Sequence, residues 1–313
     1  MTVRTPAWAL LDGELVLWER ATLHASTHGF LYGTAVFEGV RAYKQESGGV
    51  AVFELAAHSD RLARNARMMG FAGAPDGTTL AGWTLDLLSA LEAKEDHYIR
   101  PVVYVGEGGI GIHPTTQKTK TVIMATPMQK YFSKGVLAAK VSSWMRISGR
   151  AIPPMGKING AYANSYLASK EAREAGFDEA ILLNERGLVS EGSGENIWLV
   201  RDGELVTPGL DGDILDGITR RHVLDLARDL GLVVHERGVP RSELYAADEI
   251  FFSGTGVEIS PVGRVDHVTI GNGEPGPVTR AIHDRFHASI RGLVPSYARK
   301  LTPVVPGRQT KKT

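Results

Sequence analysis

The sequence predicts an α/β protein, of the α+β type, with two domains. Segments with strand spacing and segments with helical spacing of apolar residues follow one another along the chain. Its 313 residues are enough for two modest domains. The short polar stretch 127–135 is the best candidate for a linker. We therefore predict a small N-terminal domain over 1–126, an interdomain linker or loop over 127–135, and a larger C-terminal domain over 136–313.

The composition argues against several classes of partner. Lysine plus arginine and aspartate plus glutamate both number 35, so the formal net charge is zero and nothing indicates a nucleic-acid partner. The absence of cysteine rules out disulfides and thiolate metal sites, and it fits a reducing cytoplasm. Neither a signal peptide in Met1 to Leu15 nor a run of ~20 apolar residues that would span a membrane is found. The expectation is a cytoplasmic protein without a metal site, a nucleic-acid partner or a membrane partner.

The predicted N-terminal domain opens with a hairpin over 8–18, because an Asp-Gly pair separates two apolar runs there. A glycine-punctuated aromatic segment over 24–41 then leads into a strand. Two of its aromatic residues, Tyr32 and Phe37, are either core residues or walls of a pocket.

Two helices follow, over 58–69 and 79–95, each with an apolar side at helical spacing. Three arginines recur every three residues on the first helix. Arg61 either belongs to a solvated face with Arg64 and Arg67 or, from its place near the helix start, reaches a phosphate.

A buried strand is predicted over 98–105, and another over 121–126. Tyr98 and Arg100 lie two residues apart, so both side chains leave the same face of the strand. An arginine on so apolar a strand requires a carboxylate or phosphate partner, which belongs either to the protein or to a substrate.

The predicted C-terminal domain mixes strands and helices. A single lysine, Lys157, lies among small and apolar residues over 153–165, with no carboxylate within several positions. Lysine is usually a strongly hydrated cation, and its removal from water would favour the neutral, nucleophilic amine that a Schiff-base lysine requires. The segment alone leaves two interpretations open: a Schiff-base lysine or an exposed loop lysine between two glycines. The further elements predicted here are helices over 163–175, 215–230 and 278–293 and strands over 136–141, 179–184, 197–201 and 249–253.

A carboxylate, Glu191, stands between Ser190 and Gly192 in a strand–loop–strand segment. It is either a shielded functional acid or a turn acid that faces water. Two small hydroxyl-bearing turns, 217–219 at a helix start and 254–256 after a strand, are suited to bind anions, although the first is also an ordinary helix N-cap. Together with the lysine, a tyrosine and an arginine, these groups are the parts needed to hold pyridoxal 5'-phosphate.

At these positions the sequence resembles the branched-chain amino-acid aminotransferases of the class-IV pyridoxal-phosphate fold, from about Trp8 to about Phe286. The resemblance is carried by the motifs at 24–41, 98–101, Lys157 with Tyr162, 190–196, 217–220 and 253–255. It implies two α/β domains with the cofactor between them, assembled as a homodimer or as a hexameric trimer of dimers. The implied reaction moves the amino group of L-leucine, L-isoleucine or L-valine to 2-oxoglutarate, giving branched-chain 2-oxo acids and L-glutamate.

The resemblance also implies the role of each site residue. Lys157 resembles the catalytic Schiff-base lysine, Glu191 the partner of the pyridine nitrogen, and Tyr162 the donor to the phenolate oxygen. The phosphate contacts correspond to Arg61, Ile218, Thr219 and Thr255. The substrate contacts correspond to Tyr32, Phe37, Tyr98, Arg100, Ile112, Tyr131, Thr255 and Gly256.

Two segments, 128–134 and 158–160, depart from the bacterial branched-chain enzymes, so the substrate range stays open. A D-amino-acid transaminase, an (R)-amine transaminase and aminodeoxychorismate lyase share the fold. Tyr98 with Arg100 favours the L-branched-chain pattern. An alternative of another class is a protein that binds the cofactor or a small molecule without catalysis, and the presence of Lys157, Glu191 and Arg100 together argues against it.

Overall fold

The computed structural model describes residues 5–113, 118–128 and 131–308. In this part of the chain the strands are β1 (Trp8–Leu11), β2 (Glu14–Leu17), β3 (Ala35–Phe37), β4 (Val40–Lys44), β5 (Val50–Phe53), β6 (His97–Val105), β7 (Thr119–Pro127), β8 (Leu137–Val141), β9 (Glu179–Leu183), β10 (Val189–Gly192), β11 (Asn196–Arg201), β12 (Glu204–Thr207), β13 (Val234–Glu236), β14 (Glu249–Gly254), β15 (Glu258–Val265), β16 (Val268–Thr269) and β17 (Leu301–Pro303). The α-helices are α1 (His28–Tyr32), α2 (Leu55–Met68), α3 (Gly77–Ala90), α4 (Tyr162–Glu174), α5 (Ile218–Asp229), α6 (Arg241–Leu244) and α7 (Pro277–Ile290). None of the helices described is long and apolar enough to cross a membrane.

The chain divides into two compact units, each described by itself below. Unit 1 consists of Met1–Gln129, Gly156–Gly160 and Ser289–Thr313, and unit 2 consists of Lys130–Met155 and Ala161–Ala288. The first change of unit falls within the stretch predicted as the linker. The segment of Lys157 and the C-terminal segment belong to unit 1, whereas both were predicted to lie in the C-terminal domain. The predicted domain limits stay a prediction, because compactness does not test which segments fold on their own.

Unit 1 is built on an antiparallel sheet with the strand order β17-β5-β4-β6-β7-β1-β2, and β3 pairs with β6. The predicted hairpin is confirmed as β1 and β2, with Asp12 and Gly13 both at positive φ, as a tight two-residue turn requires. The longest pairing joins β6 to β7 over nine residues. Apolar side chains of the sheet and of α3 form the core of this unit, including Leu10, Leu15, Val40, Val52, Leu87, Leu88, Ile99 and Ile123.

Helix α2 confirms the predicted apolar stripe, since Leu62 and Ala66 are buried. Arg64 and Arg67 are exposed, whereas Arg61 is buried, so the interpretation of all three arginines as one solvated face is wrong. The short helix α1 was not predicted from the sequence. It spans only five residues of the aromatic segment, and its C-cap is Gly33, which has positive φ.

Unit 2 is built on a mixed sheet with the strand order β10-β9-β8-β15-β14-β11-β12-β13. Strands β9, β8 and β15 are parallel neighbours, and β15, β14, β11 and β12 are antiparallel neighbours. Strand β15 was not predicted, because Pro261 and Gly263 interrupt its apolar pattern. The core of unit 2 includes Leu137, Val141, Ile181, Ile197, Leu199, Val206, Ile250, Phe252 and Val262.

Candidate active site

The lysine segment 156–160 is bound to the edge of β3 in unit 1. The amide of Phe37 donates to the carbonyl of Lys157 at 3.0 Å, and Val36 and Ile158 form an isolated antiparallel bridge. These backbone contacts fix the position of Lys157, whose side chain is half-buried. The alternative of an exposed loop lysine is therefore wrong.

Two cations lie near the ring of Phe37. Lys157 Nζ is 5.0 Å from the ring centroid, and Arg100 Cζ is 4.6 Å from it. Arg100 also lies 5.2 Å from the ring centroid of Tyr98 and donates through Nη2 to the Tyr98 hydroxyl at 2.5 Å. Aromatic faces attract cations at such distances. The structure therefore brings four predicted residues together: Lys157, Phe37, Tyr98 and Arg100.

The partner of Arg100 differs from the expected carboxylate or phosphate. Among the described residues the structure gives Arg100 no acidic partner, and its buried Nε has no hydrogen-bond acceptor. Aromatic faces and one hydroxyl hold the guanidinium instead. The Tyr98 hydroxyl, which accepts the hydrogen bond of Arg100, packs directly against Gly39, where a Cβ would overlap it. Arg100 is thus a positioned cation that an anionic group of a ligand can approach.

Arg61 forms a two-point ion pair with Glu38. Its Nε donates to Glu38 Oε1 at 2.5 Å and its Nη2 donates to Glu38 Oε2 at 2.9 Å. Glu38 is fully buried and also binds Nδ1 of His58 at 2.8 Å. Burial opposes the charge of Glu38, but Arg61 and His58 outweigh burial and hold the pKa of Glu38 well below its ordinary value. Neither Glu38 nor His58 was predicted as a site residue, because the sequence marks them only by an acid beside Phe37.

Helix α1 contacts the segment that carries Ile112 through two of its side chains, Tyr32 and His28. The Tyr32 hydroxyl donates to the carbonyl of Ile110, and His28 Nε2 lies 3.2 Å from the carbonyl of Ile112. Both predicted pocket walls are exposed in unit 1.

In unit 2, Glu191 is buried on β10 and is not a turn acid facing water. Its Oε1 lies 2.8 Å from Arg146 Nη2. Its Oε2 accepts hydrogen bonds from Asn196 Nδ2 and from the amide of Leu215, both at 3.0 Å. A cation and two N–H donors stabilise the ionised form of a buried carboxylate. Arg146 was missed because it lies 45 residues away in an irregular stretch without periodicity.

The first turn of α5 carries Ile218 and Thr219, both buried. Its N-cap is Gly217, which has no side chain that could accept from the first amides. A Cβ at position 217 would overlap Asn196 Oδ1, so the close approach needs glycine. The amides of such an uncapped helix start bind anions. Asn196 therefore contacts both the Glu191 carboxylate and the start of this helix.

The remaining predicted residues of unit 2 lie on three elements. Thr255 and Gly256 form the turn between β14 and β15, and the ring of Tyr131 packs on Gly256, 3.4 Å from where a Cβ would be. Tyr162 is the first residue of α4 and is half-buried.

The chemistry of these groups fits pyridoxal 5'-phosphate. Unit 1 holds a lysine amine and a buried arginine, and unit 2 holds a carboxylate paired with an arginine and a helix start whose N-cap is glycine. These match the aldehyde, the ring nitrogen and the phosphate of the cofactor. Within the described residues, no group of three or more His, Asp and Glu is arranged to hold a metal.

Comparison with known proteins agrees with this chemistry. The family model described as amino-transferase class IV matches residues 35–265. A probable branched-chain-amino-acid aminotransferase of Aquifex aeolicus is 40% identical over 301 residues, which cover 95% of this chain and 96% of the relative.

Two solved structures are also similar. The branched-chain aminotransferase of Thermoproteus uzoniensis with norvaline has a TM-score of 0.92 at 40% identity, covering 96% of this chain and 100% of that chain. The T.th. branched-chain amino acid aminotransferase complexed with N-(5'-phosphopyridoxyl)-L-glutamate has a TM-score of 0.92 at 34% identity, covering 96% and 99%. The predicted fold class and the predicted resemblance are thereby confirmed. The chain belongs to the class IV aminotransferases.

Proposed function

We propose that this protein transfers the amino group of L-leucine, L-isoleucine or L-valine to 2-oxoglutarate, with pyridoxal 5'-phosphate as cofactor. The observation that carries the proposal is Arg100, a cation held on the ring faces of Phe37 and Tyr98 near Lys157 Nζ. Such a site offers apolar surface to a branched side chain and a positive charge to a carboxylate. Similar proteins support both halves, since one structure was solved with norvaline and another with a phosphopyridoxyl-glutamate compound.

The residues of this chain bind and orient the cofactor in the proposed reaction. When bound, pyridoxal 5'-phosphate supplies an aldehyde that joins to amines and a ring that withdraws electrons. Lys157 would hold the cofactor at its aldehyde carbon and, once released from it, would accept and return a proton at the substrate Cα. Glu191 holds a proton on the ring nitrogen, and Tyr162 donates to the phenolic oxygen. The phosphate is assigned to Arg61, Ile218, Thr219 and Thr255.

The substrate is held by a second set of residues. The α-carboxylate is assigned to Tyr98 and to the amides of Thr255 and Gly256. Apolar contacts to the substrate side chain come from Phe37, Tyr32, Ile112 and Tyr131. Removing a γ-carboxylate from water without a partner costs several kcal/mol, so an entirely apolar pocket would reject glutamate and 2-oxoglutarate. Arg100 is the partner that we assign to this carboxylate.

The two half-reactions, followed separately through cofactor absorbance, test the proposal. Arg100→Met keeps an unbranched apolar side chain and removes the charge. A charge-assisted hydrogen bond contributes about 1.5–3 kcal/mol. The apparent dissociation constant for 2-oxoglutarate is therefore expected to rise by roughly ten- to hundredfold, with a much smaller change for L-leucine. Equal losses for both substrates would show that Arg100 is a structural residue instead.

Borohydride reduction of the loaded protein tests the cofactor attachment. We expect the label on the peptide that contains Lys157, and a label on Lys134 or Lys170 would contradict the assignment.

Faster reaction with D-alanine or (R)-phenylethylamine than with L-leucine would place the protein with relatives of other specificity. A visible cofactor band that no amino donor changes would indicate a protein that binds the cofactor without catalysis.

A homo-oligomer, a dimer or a trimer of dimers, is the assembly that we propose. Unit 1 exposes apolar side chains on α1 and on the β6–β7 connection, where Phe30 is 74% and Ile110 is 79% exposed. Exposed apolar patches of this kind mark surfaces that bind other proteins. A monomer in light scattering would contradict this assembly. A cytoplasmic location is proposed from the lack of cysteine alone.

A further inference from the structure

We propose that His58 and Glu38 are positioning residues that fix the guanidinium of Arg61 for the phosphate of the cofactor. The inference rests on the proposed function, in which Arg61 binds that phosphate. It assigns a role to two buried polar residues of unit 1 to which the proposed function gives none.

The geometry of the ion pair fixes the plane of Arg61. A guanidinium is planar and carries five N–H donors in a rigid fork. Glu38 binds the edge formed by Nε and Nη2, at 2.5 and 2.9 Å. A two-point contact of this kind sets the orientation of the plane, and therefore also sets where Nη1, at the opposite corner, is directed.

His58 fixes the carboxylate in turn. Glu38 Oε2 binds His58 Nδ1 at 2.8 Å, in addition to Arg61 Nη2. His58 and Arg61 are three residues apart on α2, so their side chains lie on the same face of the helix. Without the imidazole, the Glu38 carboxylate could rotate about its last bond, and the guanidinium plane would rotate with it.

The charge state of His58 makes it the informative residue to change. Burial lowers the pKa of His58, and the positive charges of Arg61 and Lys157 lower it further against the effect of Glu38. The imidazole is therefore neutral at neutral pH, with Nδ1–H as the donor. Replacing His58 removes a hydrogen bond without changing a charge. Replacing Glu38 would instead leave Arg61 as a buried cation without its carboxylate, which favours phosphate for a different reason.

The test compares the affinity of the cofactor-free full chain for pyridoxal 5'-phosphate and for pyridoxal, which lacks the phosphate. His58→Leu removes the donor, and His58→Asn keeps an N–H near the position of Nδ1. One hydrogen bond corresponds to roughly a three- to tenfold weaker binding of pyridoxal 5'-phosphate by His58→Leu. Pyridoxal affinity should be unchanged, and His58→Asn should bind both compounds as the unmodified chain does.

Three outcomes would overturn the proposal: unchanged binding by His58→Leu, equal losses for both compounds, or the same loss in His58→Asn as in His58→Leu. His58→Phe, a ring without a donor, replaces His58→Leu in the test if the latter does not fold. Arg61→Met is the control for the proposed function, because it should lower the affinity for pyridoxal 5'-phosphate more than any His58 variant. If Arg61→Met leaves the preference over pyridoxal intact, the phosphate assignment of Arg61 is wrong, whatever His58 does.

Discussion

Glu191 and Glu195 stand four residues apart in unit 2 and are buried alike, at 5% and 6% exposure, but their surroundings oppose each other. Glu191 has a guanidinium at 2.8 Å and two N–H donors. Glu195 has one amide donor, Gly194, and lies beside the carboxyl group of Glu179. One carboxyl group is therefore held ionised, and the other is driven towards its neutral form.

The neighbours of Glu195 explain its state. Burial raises its pKa well above the ordinary value, and the negative charge of Glu179 raises it further. The side chain packs on Gly192, where a Cβ would lie 2.7 Å from Oε1, and on Gly254. Glu195 thus fills the space beside the strand that carries Glu191 and beside the turn that carries Thr255. The comparison shows that partners, and not burial, decide whether a buried glutamate supplies charge.

Replacing each glutamate by glutamine should distinguish Glu191 from Glu195, and the larger effect is expected at Glu191. In the proposed reaction, Glu191→Gln removes the negative charge assigned to hold the proton on the ring nitrogen, and it leaves Arg146 buried without its carboxylate. We expect the leucine half-reaction to slow by at least about a hundredfold, the scale of one lost electrostatic contact in an active site. Cofactor binding, followed by absorbance, should persist. An unchanged rate would show that Glu191 has no electronic role.

Arg146 provides the next test, because it is the cation that distinguishes Glu191 from Glu195. Arg146→Leu should slow the leucine half-reaction by roughly tenfold, since a hydrogen bond to a charged group contributes about 1.5–3 kcal/mol and two N–H donors remain. The acid limb of the pH profile should move to higher pH, because the carboxylate is protonated more easily without the cation. Arg146→Lys, which keeps the charge, is the matched control. A loss of rate without a change in the pH profile would indicate a purely structural arginine.

The functional acid Glu191 was predicted from the sequence, but its ion-pair partner Arg146 was not, and neither was the pair of Glu195 and Glu179. Glu191 was found because an acid between small residues in a strand–loop–strand segment is unusual, and Lys157 because it lacks nearby acids. Arg146 and Glu179 lie far away in sequence, and only the sheet of unit 2 places them beside Glu191 and Glu195. Long strands and helices were predicted well, because their periodicity is local. The five-residue helix α1 and the Pro- and Gly-containing strand β15 were not, because both depend on tertiary contacts.

Glu195→Gln should have the opposite outcome to Glu191→Gln. An amide resembles a protonated carboxyl group in shape and can donate a hydrogen bond, so the half-reactions should change little. Because the folded chain keeps the proton of Glu195 above the ordinary pKa, stability falls as pH rises from the ordinary pKa to the raised one, by up to about 1.4 kcal/mol per pH unit for one proton. The variant should lose this slope, which urea unfolding from pH 5 to pH 9 would measure. Glu195→Ala is the control for lost packing on Gly192 and Gly254. The same pH slope in Glu195→Gln would show that another group is responsible.

The smallest effect is expected from Glu179→Gln, which separates the contribution of the Glu179 charge to the raised pKa of Glu195 from the contribution of burial. Glu179→Gln removes the like charge but leaves burial, which is the larger cause, unchanged. The pKa of Glu195 should therefore fall only part of the way back. Stability is lost between the pKa of Glu195 in the unfolded chain and its raised pKa in the folded chain. The upper limit of this pH range should therefore fall in Glu179→Gln, while the lower limit stays in place. We expect the upper limit of that range to move by roughly one pH unit, the usual size of an effect from one nearby charge. An unmoved limit would mean that the charge of Glu179 does not contribute to the raised pKa of Glu195, and a complete loss of the slope would mean that this charge outweighs burial.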